Sequence, residues 1–163
     1  MKNMYNLTAV AHGLVENLFK SKTDLGGKPY IEHLDSVSTN AYYINDGVFD
    51  NDFIETIALL HDVIEDCSTE YPNIEDIIQL LFGNKILSIL KILTHDNAVF
   101  NYEQYIENIG KNHIATIIKL ADLQDNMQVH RLKKITDKDI ERLKKYHQSY
   151  TYLMEKLEQF NKL

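Results

Sequence analysis

Apolar residues recur along this chain at three- and four-residue steps almost throughout, the period of an amphipathic helix. Nowhere do they alternate as in a half-buried strand flanked by Asn-Gly or Asp-Gly turns. Pro29 stands where a helix can begin, because the first turn has no use for its missing N–H, and predicts a helix to about Tyr43. Asp50 or Asp52 can cap the next helix, with the stripe Ile54, Ile57, Ala58 and then Ile64. Pro72 opens a helix carrying Ile74, Ile77, Ile78 and Leu81, which Gly83 can close. Leu87 and Leu90 lie on another, ending near Thr94, and Tyr102 to Ile109 is a short helix stopped by Gly110. Asn112 caps a longer helix to about Arg131. After Thr136 a last helix shows Ile140, Leu143, His147, Tyr150, Met154 and Leu157. The pattern predicts an all-α bundle of about eight helices, with no repeat and no low-complexity stretch. Two loops stand out, basic Lys20 to Lys28 and acidic Ile44 to Asp52.

At 163 residues and 44% apolar content the chain predicts one domain spanning 1–163, with material for a core. Six Gly and two Pro exclude a collagen-like or linker-rich chain. Seventeen basic against 24 acidic residues leave a net charge of −7, without the basic stripe of a nucleic-acid binder. An acidic chain binds a small polyanion only through a metal or a few placed cations. Cys67, the single cysteine, has no internal disulfide partner. The N-terminal MKNMYNLTAVAHGLVENLF has neither a long apolar run nor a small-residue cleavage pattern, so the expectation is a cytoplasmic protein with no membrane partner.

Against that background, polar residues at core positions carry the chemistry. His61 continues the stripe Ile54, Ile57, Ala58, and Asp62 follows about 100° round the helix. Ile114 and Ile118 lead at the same four-residue step to Asp122, where a carboxylate is costly to bury unpaired. Alone, an inward His is more often a hydrogen-bonded core residue, and an inward Asp a cap or ion-pair partner. Together the two sites either satisfy each other or share a metal ion. LLHDVIED adds Glu65 and Asp66, four residues beyond His61 and Asp62 and on the same face.

His33 in KPYIEH, His61-Asp62 in LLHDVIED and Asp122 in KLADLQDNM resemble the metal-binding signature of the HD phosphohydrolase superfamily. The flavour is similar to the hydrolase domain of the RelA/SpoT proteins and to stand-alone small alarmone hydrolases of the metazoan SpoT-homologue kind. It extends from Ala9 to about Tyr152. The resemblance implies one divalent metal, usually Mn²⁺, held by His33, His61, Asp62 and Asp122. Such a mixed N/O set suits manganese or iron, with Zn²⁺ or another divalent ion as an alternative. Four protein ligands leave an octahedral ion positions for water and a phosphate oxygen, lowering the water's pKa and polarising the phosphorus. The resemblance further implies that Glu65 orients or deprotonates the attacking water, supported by Asp66. Tyr30, Asn126 and Lys22 would contact the nucleotide.

Two departures bear on the substrate. The family's Arg-Lys pair before the first His falls on Lys22 and Thr23, and lysine does not replace arginine where stacking or bidentate contact is needed. Where the family reads KLADRLHN, Leu123 and Asp125 replace an arginine and a histidine; the extra acid can tune the metal or oppose a polyphosphate. His12, His95, His113, His130 and His147 have no ligand partners at suitable spacing, and Lys119 and Arg131 either balance substrate charge or are solvated. The C-terminal stripe reads as a core helix or a two-helix dimer seam, leaving monomer and homodimer open. The implied activity is removal of the 3′-pyrophosphate from guanosine alarmones, the nucleotides of the stringent response. The alternatives are an HD phosphatase on another nucleotide or an NADPH-like metabolite, and a non-catalytic metal-stabilised nucleotide-binding module.

Overall fold

The computed structural model describes residues 6–162, so the first five residues of the N-terminal stretch lie outside it. Eight α-helices follow in order: α1 Leu7–Leu18, α2 Tyr30–Asn45, α3 Asn51–Leu60, α4 Val63–Cys67, α5 Ile74–Leu93, α6 Tyr102–Ile109, α7 His113–Asn126 and α8 Asp137–Phe160. A 3₁₀ turn at Val129–Arg131 precedes α8. Among the described residues there is no strand, only an isolated bridge between Thr23 and Pro29. The all-α expectation holds. No described helix is long and apolar enough to cross a membrane.

Local chemistry accounts for most helix ends. Asp50 accepts the Phe53 N–H at 3.0 Å, and Asn112 accepts that of Ala115 at 2.9 Å. Asn101 with Gln104 and Thr136 with Asp139 form capping boxes at α6 and α8. Asp52, the other cap candidate of α3, serves a different helix. Its carboxylate accepts the Leu7 and Thr8 N–H groups at 3.2 and 3.0 Å, capping α1 from 45 residues away. At Gly83 the backbone leaves the helical region (φ 83°), so α5 is two helical segments joined at a kink, as the glycine predicted.

α7 is the central element, with ten of its 14 residues buried. α2 packs on α3 and α7, α1 on α3, and α8 on α7. Their shared core includes Leu34, Ile57, Leu60, Leu90, Ile117 and Ile118, all essentially inaccessible. Burying such side chains stabilises the fold by about 1.5–3 kcal/mol each.

Four sequence expectations need correction. The stripe Ile54, Ile57, Ala58 and Ile64 is buried as expected, but it is carried by two helices, with a break at His61 and Asp62 where the His61 ring Nδ1 bonds the Ala58 carbonyl at 2.7 Å. The helix expected to reach Arg131 stops at Asn126. There the Asp125 carbonyl is taken by the Gln128 N–H at 3.1 Å and by the Arg131 guanidinium, so the ladder cannot continue. In α8 the buried residues are Ser149, Leu153 and Leu157, while Ile140 and His147 are exposed. The first turns of that helix line a cleft with Asp139 and Arg142 instead of packing on α7. Leu81 is exposed too, because the first segment of α5 buries the four-residue row Ile74, Ile78 and Phe82, and Leu81 lies off that row.

Candidate metal and substrate site

Three elements bring the polar core positions together. His33 lies in the first turn of α2, His61 and Asp62 form the break between α3 and α4, and Asp122 lies in the last turns of α7. His33 and His61 are 4% exposed, as is Asp122. The His33 Nε2 atom is 3.7 Å from Asp62 Oδ2 and 3.5 Å from Asp122 Oδ1. His61 Nε2 is 3.1 Å from Asp62 Oδ2 and 3.6 Å from Asp122 Oδ1, yet hydrogen-bonds to neither and is buried without a partner.

The outer ring nitrogens are occupied. His61 Nδ1 donates to the Ala58 carbonyl, and His33 Nδ1 donates to Asp125 Oδ2 at 2.6 Å. Those acceptors turn both Nε2 atoms toward the carboxylates. An orphaned buried imidazole nitrogen beside converging carboxylates fits a divalent cation. The atoms of His33, His61 and Asp62 lie close enough for one ion, and Asp122 reaches the same two nitrogens.

Electrostatics agree with this density of charge. Burial, the largest influence on His61, lowers its pKa, but facing Asp62 and Asp122 reverses this and raises it well above the usual imidazole value. His33 is raised in the same way, with the Asp125 bond as the leading opposing influence. Asp122 is held well below the usual carboxylate range: burial works against ionisation, and the Lys119 ammonium, bonded at 2.8 Å, outweighs it with His61. Burial, aided by Asp62, pushes the Tyr30 phenol far up, so it stays a donor, bonding Asp62 Oδ2 at 2.5 Å.

The remaining predicted site residues surround this cluster. Glu65 lines the same cleft as Asp62 and Asp122, with Oε2 accepting the His95 N–H at 3.0 Å. Asp66 also lines it and is ion-paired with Lys22. The Lys22 ammonium in turn lies 4.2 Å from the centre of the Tyr30 ring. Asn126 donates to Asp122 Oδ1. A second cleft adjoins the first, sharing Tyr30, Asn126 and Tyr146 and adding Arg131 and Arg142.

Sequence reasoning passed over several of these contacts. Lys119 supports Asp122, and the i, i+3 spacing signalled it. Asp125 holds His33, a bond between residues 92 apart that no local pattern reveals. His95 acts on Glu65 through its backbone, which sequence cannot show. The other histidines stay outside the cluster. His12 lies 3.2 Å from Asp35 on the surface, His113 stacks on Phe160, and His130 and His147 are exposed.

No family model matches the chain. A solved structure of a metazoan orthologue of SpoT, described as hydrolysing ppGpp with a role in starvation responses, superposes with a TM-score of 0.73. The match covers 98% of this chain and 96% of that one, at 21% identity. This chain has the fold of a SpoT orthologue. It is also 33% identical over 108 residues to the guanosine-3′,5′-bis(diphosphate) 3′-pyrophosphohydrolase MESH1 of Drosophila melanogaster. That match takes in 61% of this chain and 55% of the relative, so the chain spans about half the length of the curated protein it resembles. The sequence match to MESH1 agrees with the likeness read from the motifs, and the superposition bears on the fold.

Proposed function

We propose that this chain is a metal-dependent phosphohydrolase that removes the 3′-pyrophosphate of guanosine 3′,5′-bis(diphosphate), giving GDP, or GTP from the pentaphosphate. The observation that carries the reading is the orphaned Nε2 of His61 facing Asp62 and Asp122 beside the inward Nε2 of His33, at the base of a cleft. The similarity to MESH1 and the fold of the SpoT orthologue support the choice of substrate.

His33, His61, Asp62 and Asp122 would hold the cation, for which the N/O donor set favours Mn²⁺. Bound there, a divalent ion supplies a water of lowered pKa and a positive charge for the phosphate. Glu65, with Oε2 anchored by the His95 N–H, has Oε1 left to take a proton from the attacking water. The water oxygen forms the new bond to phosphorus, the bond from phosphorus to the ribose 3′-oxygen breaks, and the proton ends on that oxygen. Lys22 and Asp66 restrain each other, fixing the loop before α2 against α4. Tyr30 orients Asp62 through its hydroxyl, and Asn126 with Lys119 orients Asp122. Lys145 lines the metal cleft and supplies positive charge for phosphates, whereas Arg142 in the adjoining cleft is paired with Asp139 at 2.8 Å.

A second reading, hydrolysis of another phosphorylated nucleotide, is favoured by Lys22. Its ammonium is engaged by Asp66 and offers no planar guanidinium to a base. The anchored Glu65 argues against a binding module without turnover, which has no need of an acid beside the cation. A lone, buried cysteine supports a reducing, cytoplasmic setting. Purified protein incubated with ppGpp and Mn²⁺, with a chelator control, tests the assignment by its products. GDP and pyrophosphate are expected. Orthophosphate, or no turnover with metal bound, sends the substrate assignment to the second reading.

A further inference from the structure

Behind His33 lies a charged network in which the alarmone hydrolases it resembles have a histidine. Asp125 is 1% exposed. Its Oδ2 accepts His33 Nδ1 at 2.6 Å and Arg131 Nη2 at 2.9 Å, and its Oδ1 accepts Gln128 at 3.3 Å. A neutral imidazole has one acceptor nitrogen and cannot receive all of these donors. Arg131 also donates to the Asp125 carbonyl, and its Nη1 lies 3.6 Å from Asp24 Oδ2 in the Lys20 to Lys28 loop. The loop and the 3₁₀ turn touch as backbones. A Cβ on Gly26 would meet the Arg131 carbonyl oxygen at 2.9 Å, so no side chain fits there. Asp24, Gly26, Arg131, Tyr30 and His33 all face one cleft.

The geometry points to Asp125 as a positioning residue for His33, and to Arg131 and Asp24 as the link tying the cleft-wall loop to that same histidine. A carboxylate accepting the Nδ1 proton holds the imidazole in the tautomer that presents Nε2, and makes that nitrogen a better donor to a cation. Arg131 balances the buried carboxylate and carries the connection outward to Asp24. Disturbing the loop therefore reaches the metal ligand, and disturbing Asp125 reaches the loop.

This inference rests on the metal-site reading above, and its test uses Mn²⁺ alone as the probe. Asp125→Asn weakens Mn²⁺ binding by about 10–100-fold. Arg131→Met weakens it less and raises the KM for ppGpp more than it lowers kcat. Adding Arg131→Met to Asp125→Asn brings no further loss of Mn²⁺ affinity, because both act through one bond. Asp24→Asn, at the far end of the link, raises KM and weakens Mn²⁺ binding least of the three. Unaltered Mn²⁺ affinity in Asp125→Asn overturns the proposal. Should that variant not fold, wild-type affinity and KM in both Arg131→Met and Asp24→Asn overturn it. A wild-type protein that binds no Mn²⁺ overturns the metal reading and this inference together. One that binds Mn²⁺ without hydrolysing ppGpp overturns only the substrate, and the Mn²⁺ measurements still decide the role of Asp125.

Discussion

On the α3–α4 side of the cluster the support of the histidine is local: His61 is held by a carbonyl three residues earlier, while its neighbour Asp62 takes the hydroxyl of Tyr30 from α2. On the α2–α7 side it comes from far along the chain. His33 depends on Asp125, which depends on Arg131 and Asp24, while Asp122 is tied to Lys119 within α7. One imidazole is thus held by a neutral carbonyl and the other by a charged network. A locally built ligand is preserved wherever its helix folds. A ligand held by distant charges can be tuned by substitutions that leave every helix intact.

Changes of decreasing severity separate the two sides. Asp62→Asn has the largest effect, removing Mn²⁺ binding and turnover together, because Asp62 faces both histidines; metal analysis of the purified variant and retained hydrolysis would each expose an error. Lys119→Met follows. Removing one partner of a buried pair costs about 3–5 kcal/mol in the metal-free protein, and Mn²⁺ should recover more stability here than in wild type, since a cation replaces the lost charge. Equal increments from Mn²⁺ in chemical denaturation of the two proteins would show that Lys119 does not balance Asp122.

Smaller effects lie away from the cleft. Burial raises the pKa of Asp52, but bonds from Thr8 and Leu7 outweigh it and leave the folded value below the usual one. Its contribution is therefore present above the unfolded carboxylate value and lost as pH falls through the folded one. Asp52→Asn should cost about 1 kcal/mol at neutral pH, with the gap to wild type closing below about pH 4. Least of all, His147→Ala should stay within about 0.5 kcal/mol, as its exposed position on α8 requires. A larger loss on melting would return His147 to the buried stripe.

The helical content, most caps and the polar positions His61, Asp62 and Asp122 were legible because each follows from spacing within one or two turns. The exposed Ile140 and His147 were misassigned for a related reason. Their spacing is correct for a stripe, but only the later turns of α8 are buried, at Ser149, Leu153 and Leu157, and which turns pack is set by the neighbouring helices. Lys22, placed by the resemblance against the nucleotide, is engaged with Asp66, 44 residues away. Asp125 registered only as a departure from a motif, and its bond to His33 became visible once α2 and α7 were packed together.

By itself, the sequence determined that this chain is a helical bundle with two histidines and two aspartates at inward or motif positions, because period and capping act over a few residues and need no partner. Which nitrogen of each histidine faces the cluster, which cations are already committed, and how the Lys20 to Lys28 loop is tied to His33 were decided only by tertiary structure. Hydrogen bonds and ion pairs act over about 3–4 Å, and only packing brings residues 44 or 92 positions apart within that range.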